Sequence, residues 1–192
     1  MARSFGRRRP QVTGLERERG EKVLAVSPVT GGSQDATRLG LAVATTSALV
    51  LLAGGEQKWR RRWHELDHGT WDGDNRTLGL GGVDGWQAVL HLGEDARLDL
   101  AVAVHDRLQA SVVATRHAQV GDGPSVRVSV RQVQGGPEDG RLLVQELLPS
   151  VAPMGTQLRA AVLACRQELE ESVGLPPSGA AGRRPGDPEG TT

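Results

Sequence analysis

Eleven consecutive residues, Lys58-Trp59-Arg60-Arg61-Arg62-Trp63-His64-Glu65-Leu66-Asp67-His68, bring together cations, indoles, imidazoles and carboxylates. Arg60, Arg61 and Arg62 are the residues of this chain expected to contact a partner, through phosphates or an acidic protein surface. In a strand, alternate side chains point to opposite faces, so the three arginines do not form one patch. A solvated strand edge guarded by charge against unwanted pairing explains the same cluster. His64 and His68 share a strand face but would lie ~13 Å apart, too far for one metal ion. His91, His105 and His117 have no ligand spacing around them.

The remaining chemical motifs fail on spacing. A calcium loop opening at Asp72-Gly73-Asp74-Asn75 would need an acidic side chain at its twelfth position, which is Val83. The glycine pairs at Gly54-Gly55 and Gly81-Gly82 neither lead from a strand into a helix nor precede a Lys-Ser/Thr pair. No Gly-x-Ser-x-Gly elbow is present. Cys165, the single cysteine, falls on the inward stripe of a helix, where a thiol behaves as a small hydrophobe. No catalytic, cofactor or metal residue is therefore assigned, and the chain is expected to be noncatalytic. A site assembled from His64, Glu65 or Asp67 would require a pocket that shifts their pKa values.

The elements that must position these residues follow from periodicity. Val23 to Val29 reads as a strand and Gly31 to Asp35 as a loop. Leu39 to Leu52 is an apolar run broken by Thr45, Thr46 and Ser47. It is short for a membrane span, and the turn residues split it into two buried strands. Turn signals at residues 72–75 and 81–85 frame strands at Thr77 to Leu80 and Trp86 to Leu92. Leu100, Val104 and Leu108 make one helical stripe, predicting a helix over about 99–110 with Asp99 as its cap. Strands return at Ser111 to Val120, at 125–133 and at Leu142 to Leu148. In 125–133, Val126, Val128 and Val130 face one way, and Arg127, Ser129 and Arg131 the other. Leu158, Val162, Cys165, Leu169 and Val173 predict a last helix over about 156–173, stopped by Gly174 and Pro176-Pro177, its stripe buried on the sheet.

Composition narrows the classes. Twenty-three basic residues balance 23 acidic ones, so the whole surface has no electrostatic bias toward nucleic acid or anionic lipid. Residues 1–20 carry six arginines against two glutamates, a local charge of +4 that the rest of the chain offsets. Four tryptophans, one phenylalanine and no tyrosine cannot line a long base-stacking groove. Trp63 and Trp71 read as core anchors where a strand bends, ahead of an aromatic binding surface. The ends read as disordered, 1–14 as a basic tail and 175–192 as a Pro/Gly-rich one, leaving a single domain over 15–174. The lone cysteine and the lack of an apolar leader suit a cytoplasmic chain without a transmembrane segment.

The residues Trp63 to Asp72 resemble the W-x-x-I-x-x-x-x-W strand of bacterial PH-like domains. Gly20 to Ala25 is similar to the opening strand of those domains, and Ala42 to Leu49 to the hairpin before the Trp strand. Arg107 to Val113 resembles the helix-to-strand junction of uncharacterised proteins from high-GC Gram-positive (actinobacterial) bacteria. The similarity spans about 20–173, with Gly31–Gly40 and the Arg60–Arg62 cluster as departures. It implies an α+β fold: a PH-like, strongly bent antiparallel sheet or partial barrel with two helices, one of them C-terminal. It also implies an interaction or scaffolding module that binds a protein partner and uses no cofactor. Phosphoinositide-binding PH domains use basic residues around the first hairpin loop. Val29 to Leu39 holds only Arg38, which argues against that ligand. The alternative is a nucleic-acid accessory protein tethered by its Arg-rich N-terminal tail, with a steep salt dependence.

Overall fold

The computed structural model describes residues 12–33, 39–94, 98–147 and 155–176. These fall into two compact units, an α+β arrangement with one large and one small antiparallel sheet and two helices. The first unit runs to Ser111 and also includes Val133–Gly140. The second comprises Val112–Gln132 and the chain from Arg141 onward.

Seven strands build the first unit: β1 (Val23–Gly32), β2 (Gly40–Thr45), β3 (Ala48–Ala53), β4 (Glu56–Arg62), β5 (Leu66–Asp72), β6 (Thr77–Gly82) and β7 (Gln87–Leu92). Helix α1 (Asp99–Ser111) follows. The sheet order is β4-β3-β2-β1-β7-β6-β5, so its two outermost strands are consecutive in the chain. Only a 3-10 turn, Trp63–Glu65, joins them. Seven strands laid flat would separate the outer pair by about 29 Å. The link from Arg62 to Leu66 reaches about 14 Å at most. The sheet must therefore roll up. It is not closed into a barrel, because β4 and β5 are not hydrogen-bonded neighbours.

The rolled inner face collects Ala25, Val29, Leu49, Leu51, Leu66, Leu78, Leu80 and Leu90, and α1 inserts Leu100, Val104 and Leu108 among them. Strand β3 is buried along its whole length. Its outward residues Ala48, Val50 and Leu52 are covered by Val12, Leu15, Val23, Val26 and Leu41. Burial on both faces is why the Leu39–Leu52 run is continuously apolar. The hairpin turn falls at Thr46 and Ser47, between the two strands the run predicts. No described helix is long and apolar enough to cross a membrane.

Asp99 does not cap α1. The Leu98 carbonyl accepts the first helical bond from the Val102 N–H (2.9 Å), so Leu98 holds the cap position. Asp99 lies in the first turn, where the helix dipole favours a carboxylate.

The second unit has β8 (Val112–Ala118), β9 (Val126–Gln132), β10 (Leu142–Leu147) and α2 (Thr156–Ser172), with β9 central. Val126, Val128 and Val130 pack against Val162, Cys165 and Leu169 of α2. The C-terminal helix thus buries its stripe on a separate three-stranded sheet, not on the large one. The other face of β9 is covered as well: Ser129 is 2% and Arg131 3% exposed. Alternation sets the direction of a side chain; in a central strand that direction does not guarantee solvent. Gly174 ends α2 with φ +72. Its N–H donates to Glu171 O (3.2 Å) and the Leu175 N–H to Glu170 O (2.8 Å), a Schellman closure. Residues 1–11 and 177–192, most of the two expected tails, lie outside the described residues.

Candidate functional site

Strand alternation divides the three arginines, and each meets an acid of its own chain. Arg60 Nη2 donates to Glu21 Oε1 (2.6 Å) and to Ser47 Oγ (3.0 Å), and Arg60 Nη1 to the Glu16 carbonyl (3.2 Å). Arg62 Nη2 donates to Glu18 Oε1 (2.5 Å). From the opposite face, Arg61 donates to Asp84 Oδ2 (2.8 Å) and stacks 4.6 Å above the Trp86 ring. Trp86 in turn meets Trp59 edge to face at 5.2 Å.

Glu21 is the centre of the Arg60 side. Its side chain is 1% exposed. It accepts from Thr45 Oγ1 (2.5 Å), Ser47 Oγ, Arg60 and the Glu18 backbone N–H (through Glu18 N to Glu21 Oε2, 2.9 Å). Burial pushes this carboxyl up, but the hydrogen bonds from Ser47, Thr45, Glu18 N–H and Arg60 outweigh it and hold the group below the usual carboxylate range. The Gly135-Gly136 turn closes over the cluster. A Cβ at Gly136 would lie 2.6 Å from Glu18 Oε2, and φ is already +76. Gly136→Ala is therefore expected to lose about 1–3 kcal/mol in urea unfolding, from backbone strain plus displacement of Glu18. A loss below about 0.5 kcal/mol would mean the turn does not rest there.

The other sequence candidates scatter. Trp63 is fully buried and donates from Nε1 to Thr45 O (3.1 Å). Trp71 is half-buried at the rim of the same core. His68 Nδ1 lies 3.1 Å from Asp67 Oδ2, with its ring over Gly81. Glu65 accepts the Arg62 N–H (3.0 Å). Among the described residues, no three His, Cys, Asp or Glu side chains gather as metal ligands. The Asp72 carboxylate accepts from Asn75 Nδ2 (2.7 Å), Asn75 N–H and Asp74 N–H, a turn that uses the oxygens a cation would need. Cys165 is buried on the inner face of α2. Burial and then Glu168 push its thiol up, against the smaller pull of Arg116, so its reactive thiolate is scarce at neutral pH.

One surface was not singled out by sequence patterning. Helix α1 lies against edge strand β5, and between them runs a groove of about 280 Å³ lined by Gly69, Trp71, Leu78, Leu98, Val102 and His105. Glycine permits the approach: a Cβ at Gly69 would already sit 3.2 Å from Val104 Cγ1 and Leu108 Cδ1. Leu98 is 62% and Val102 53% exposed. Among the described residues, strand β5 pairs only with β6, and His68, Gly69 and Thr70 along it are exposed. The groove thus couples a free backbone edge to exposed apolar side chains, which suits pairing with an extended chain while burying an apolar group. The available signal in the sequence was Val102, an apolar residue two positions off the Leu100-Val104-Leu108 stripe. No model of a known protein family matches this sequence, and no curated protein is significantly similar to it.

Proposed function

We propose that this chain is a noncatalytic, cytoplasmic interaction or scaffolding module of PH-like architecture that binds a protein partner along the free edge of β5. The rolled antiparallel sheet with α1 on its inner face supports the PH-like reading. The observation that carries the function is the edge of β5, unpaired among the described residues, beside exposed Leu98 and Val102. An exposed edge next to apolar surface is a liability that proteins ordinarily blunt, and a partner strand relieves both defects at once. Strand β4, the other edge, is a poorer candidate because Arg60, Arg61 and Arg62 are engaged by Glu21, Asp84 and Glu18 in turn.

The test is selection of a random dodecapeptide display library on the full chain, with hydrogen exchange read on the selected peptides. Bound peptides are expected to slow exchange at Gly69–Asp72. Val102→Glu should weaken them at least about 10-fold, since a charge would replace a buried apolar contact. Leu163→Glu, at an equally exposed site on α2, should leave binding unchanged. Peptides that leave the β5 amides unprotected, or bind both variants alike, would refute the reading.

A further inference from the structure

We infer that a second copy of this chain docks on β8, edge to edge about a two-fold axis at Thr115, and joins its three-stranded sheet to that of the first. This docking concerns the second unit and stands apart from the β5 edge. Among the described residues, β8 pairs only with β9, so its outer edge offers backbone donors and acceptors to a further strand. The usual protections of such an edge are thin here. The strand reads VVATRHA, without proline or glycine, and Val113 is 45% exposed. Its one irregularity lies at its start, between Val112 and Ala114. Its one permanent charge, Arg116, reaches instead to Glu168 of α2 (3.3 Å). Beside β8 runs a cleft of about 430 Å³ lined by Arg116, Ala118, Ala161, Ala164, Cys165 and Glu168. Ala161, Ala164 and Glu168 stand at i, i+3 and i+7, on one flank of α2. The two alanines keep that flank short, which leaves an added strand room beside β8.

β8 is itself a strand that fits this place. Ala114 and Ala118 pack on α2, and Arg116 reaches the same helix, so these three residues share the face beneath it. In an antiparallel pair with Thr115 on the axis, Arg116 of each copy lies opposite Ala114 of the other. A long side chain then always meets a short one. Thr115 meets Thr115, a cross-strand pair that sheets favour. An axis at Arg116 would set two guanidiniums face to face, which sheets disfavour. The charges of the cleft agree with self-docking. Arg116 and Glu168 are 53% and 62% exposed, so the surface shows both signs and their sum is zero. Such a surface is self-complementary under a two-fold axis. A uniformly acidic or basic partner would meet like charge at one of the two.

Thr115→Cys in the full chain tests the axis directly. Thr115 is exposed, and facing residues of an antiparallel pair bring their Cβ atoms within about 5.5 Å, near disulfide reach. Under mild oxidation most of this variant should become a covalent dimer on denaturing electrophoresis. The parent, whose single thiol is buried Cys165, should not. Nor should Leu163→Cys, at an exposed site that does not line the cleft. Sedimentation of the parent should show a dimer that dissociates on dilution, with amide exchange at Thr115–Ala118 slowing as concentration rises. Arg116→Glu leaves only like charges in the cleft and should raise the dissociation constant at least about 10-fold. Arg116→Glu/Glu168→Arg restores the balance and should bring it back to within about 3-fold of the parent. A parent of native circular dichroism that sediments as a monomer at every concentration overturns the inference. So does a dimer that Thr115→Cys fails to trap, or one whose protection falls at Gly69–Asp72 instead. Protection of β8 that appears only with an added peptide gives the edge to a foreign strand and overturns it likewise.

Discussion

Trp63→Ala is expected to cost the large-sheet unit about 3–5 kcal/mol of unfolding free energy. The side chain is fully buried and sits at the corner that joins the two outermost strands. Truncating a buried tryptophan removes its transfer free energy and leaves a cavity that the surroundings only partly fill. A backbone acceptor, Thr45 O, also loses its indole donor. No turn residue can substitute, because the short corner has to carry the chain from one margin of the sheet to the other. Trp63→Phe keeps most of the ring and loses the hydrogen bond, so its cost should be less than half that of alanine. Urea unfolding of the full chain, followed by far-ultraviolet circular dichroism, measures both. A loss under about 1 kcal/mol for alanine would show that the corner tolerates a void and that Trp63 is not its anchor.

The next largest effect belongs to Glu21. Glu21→Ala strands Arg60, Thr45 and Ser47 without their common acceptor and should cost about 2–4 kcal/mol. Glu21→Gln fills the volume and should cost less. The pH dependence follows from the depressed carboxyl. The unfolded chain binds a proton at this group near pH 4.3, whereas the folded chain resists until the pH is lower. The unfolded state therefore holds more protons in that interval, and stability rises with pH across it. Glu21's contribution is complete above about pH 5 and is lost as pH falls through its folded pKa. Urea midpoints of the parent and Glu21→Gln should accordingly converge as the pH falls below about 5. Curves that stay parallel over that range would exclude an ionised Glu21 as the source of the stabilisation.

Local pattern carried much of the fold. Thr45-Thr46-Ser47 split the apolar run into β2 and β3 because hydroxyl side chains favour a turn that aliphatic ones do not. The Leu100-Val104-Leu108 stripe and the Val126-Val128-Val130 alternation each marked one face of an element, and both of those faces are buried. Contacts distant in sequence were another matter. Arg60 and Arg62 reach Glu21 and Glu18 across 39 and 44 residues. Periodicity reports which face a residue occupies and says nothing about what stands opposite. For the same reason the arginine triplet looked like free surface charge. The second sheet escaped notice because α2 needs only an apolar partner for its stripe, and any strand with three valines satisfies that need. The groove was illegible because Gly69 matters through the atom it lacks.

The membership of Val133–Gly140 in the first unit constrains how this polypeptide can be dissected. The chain leaves the first unit at Ser111, returns for eight residues, and departs again. No single scission yields two self-sufficient fragments. Stopping translation at Ser111 would discard the Gly135-Gly136 cover over Glu18 and Ser47, and starting at Val112 would carry that cover away from its seat. A protease nick between β9 and β10 should loosen the larger sheet first, although neither bond flanking the cut lies in any of its strands.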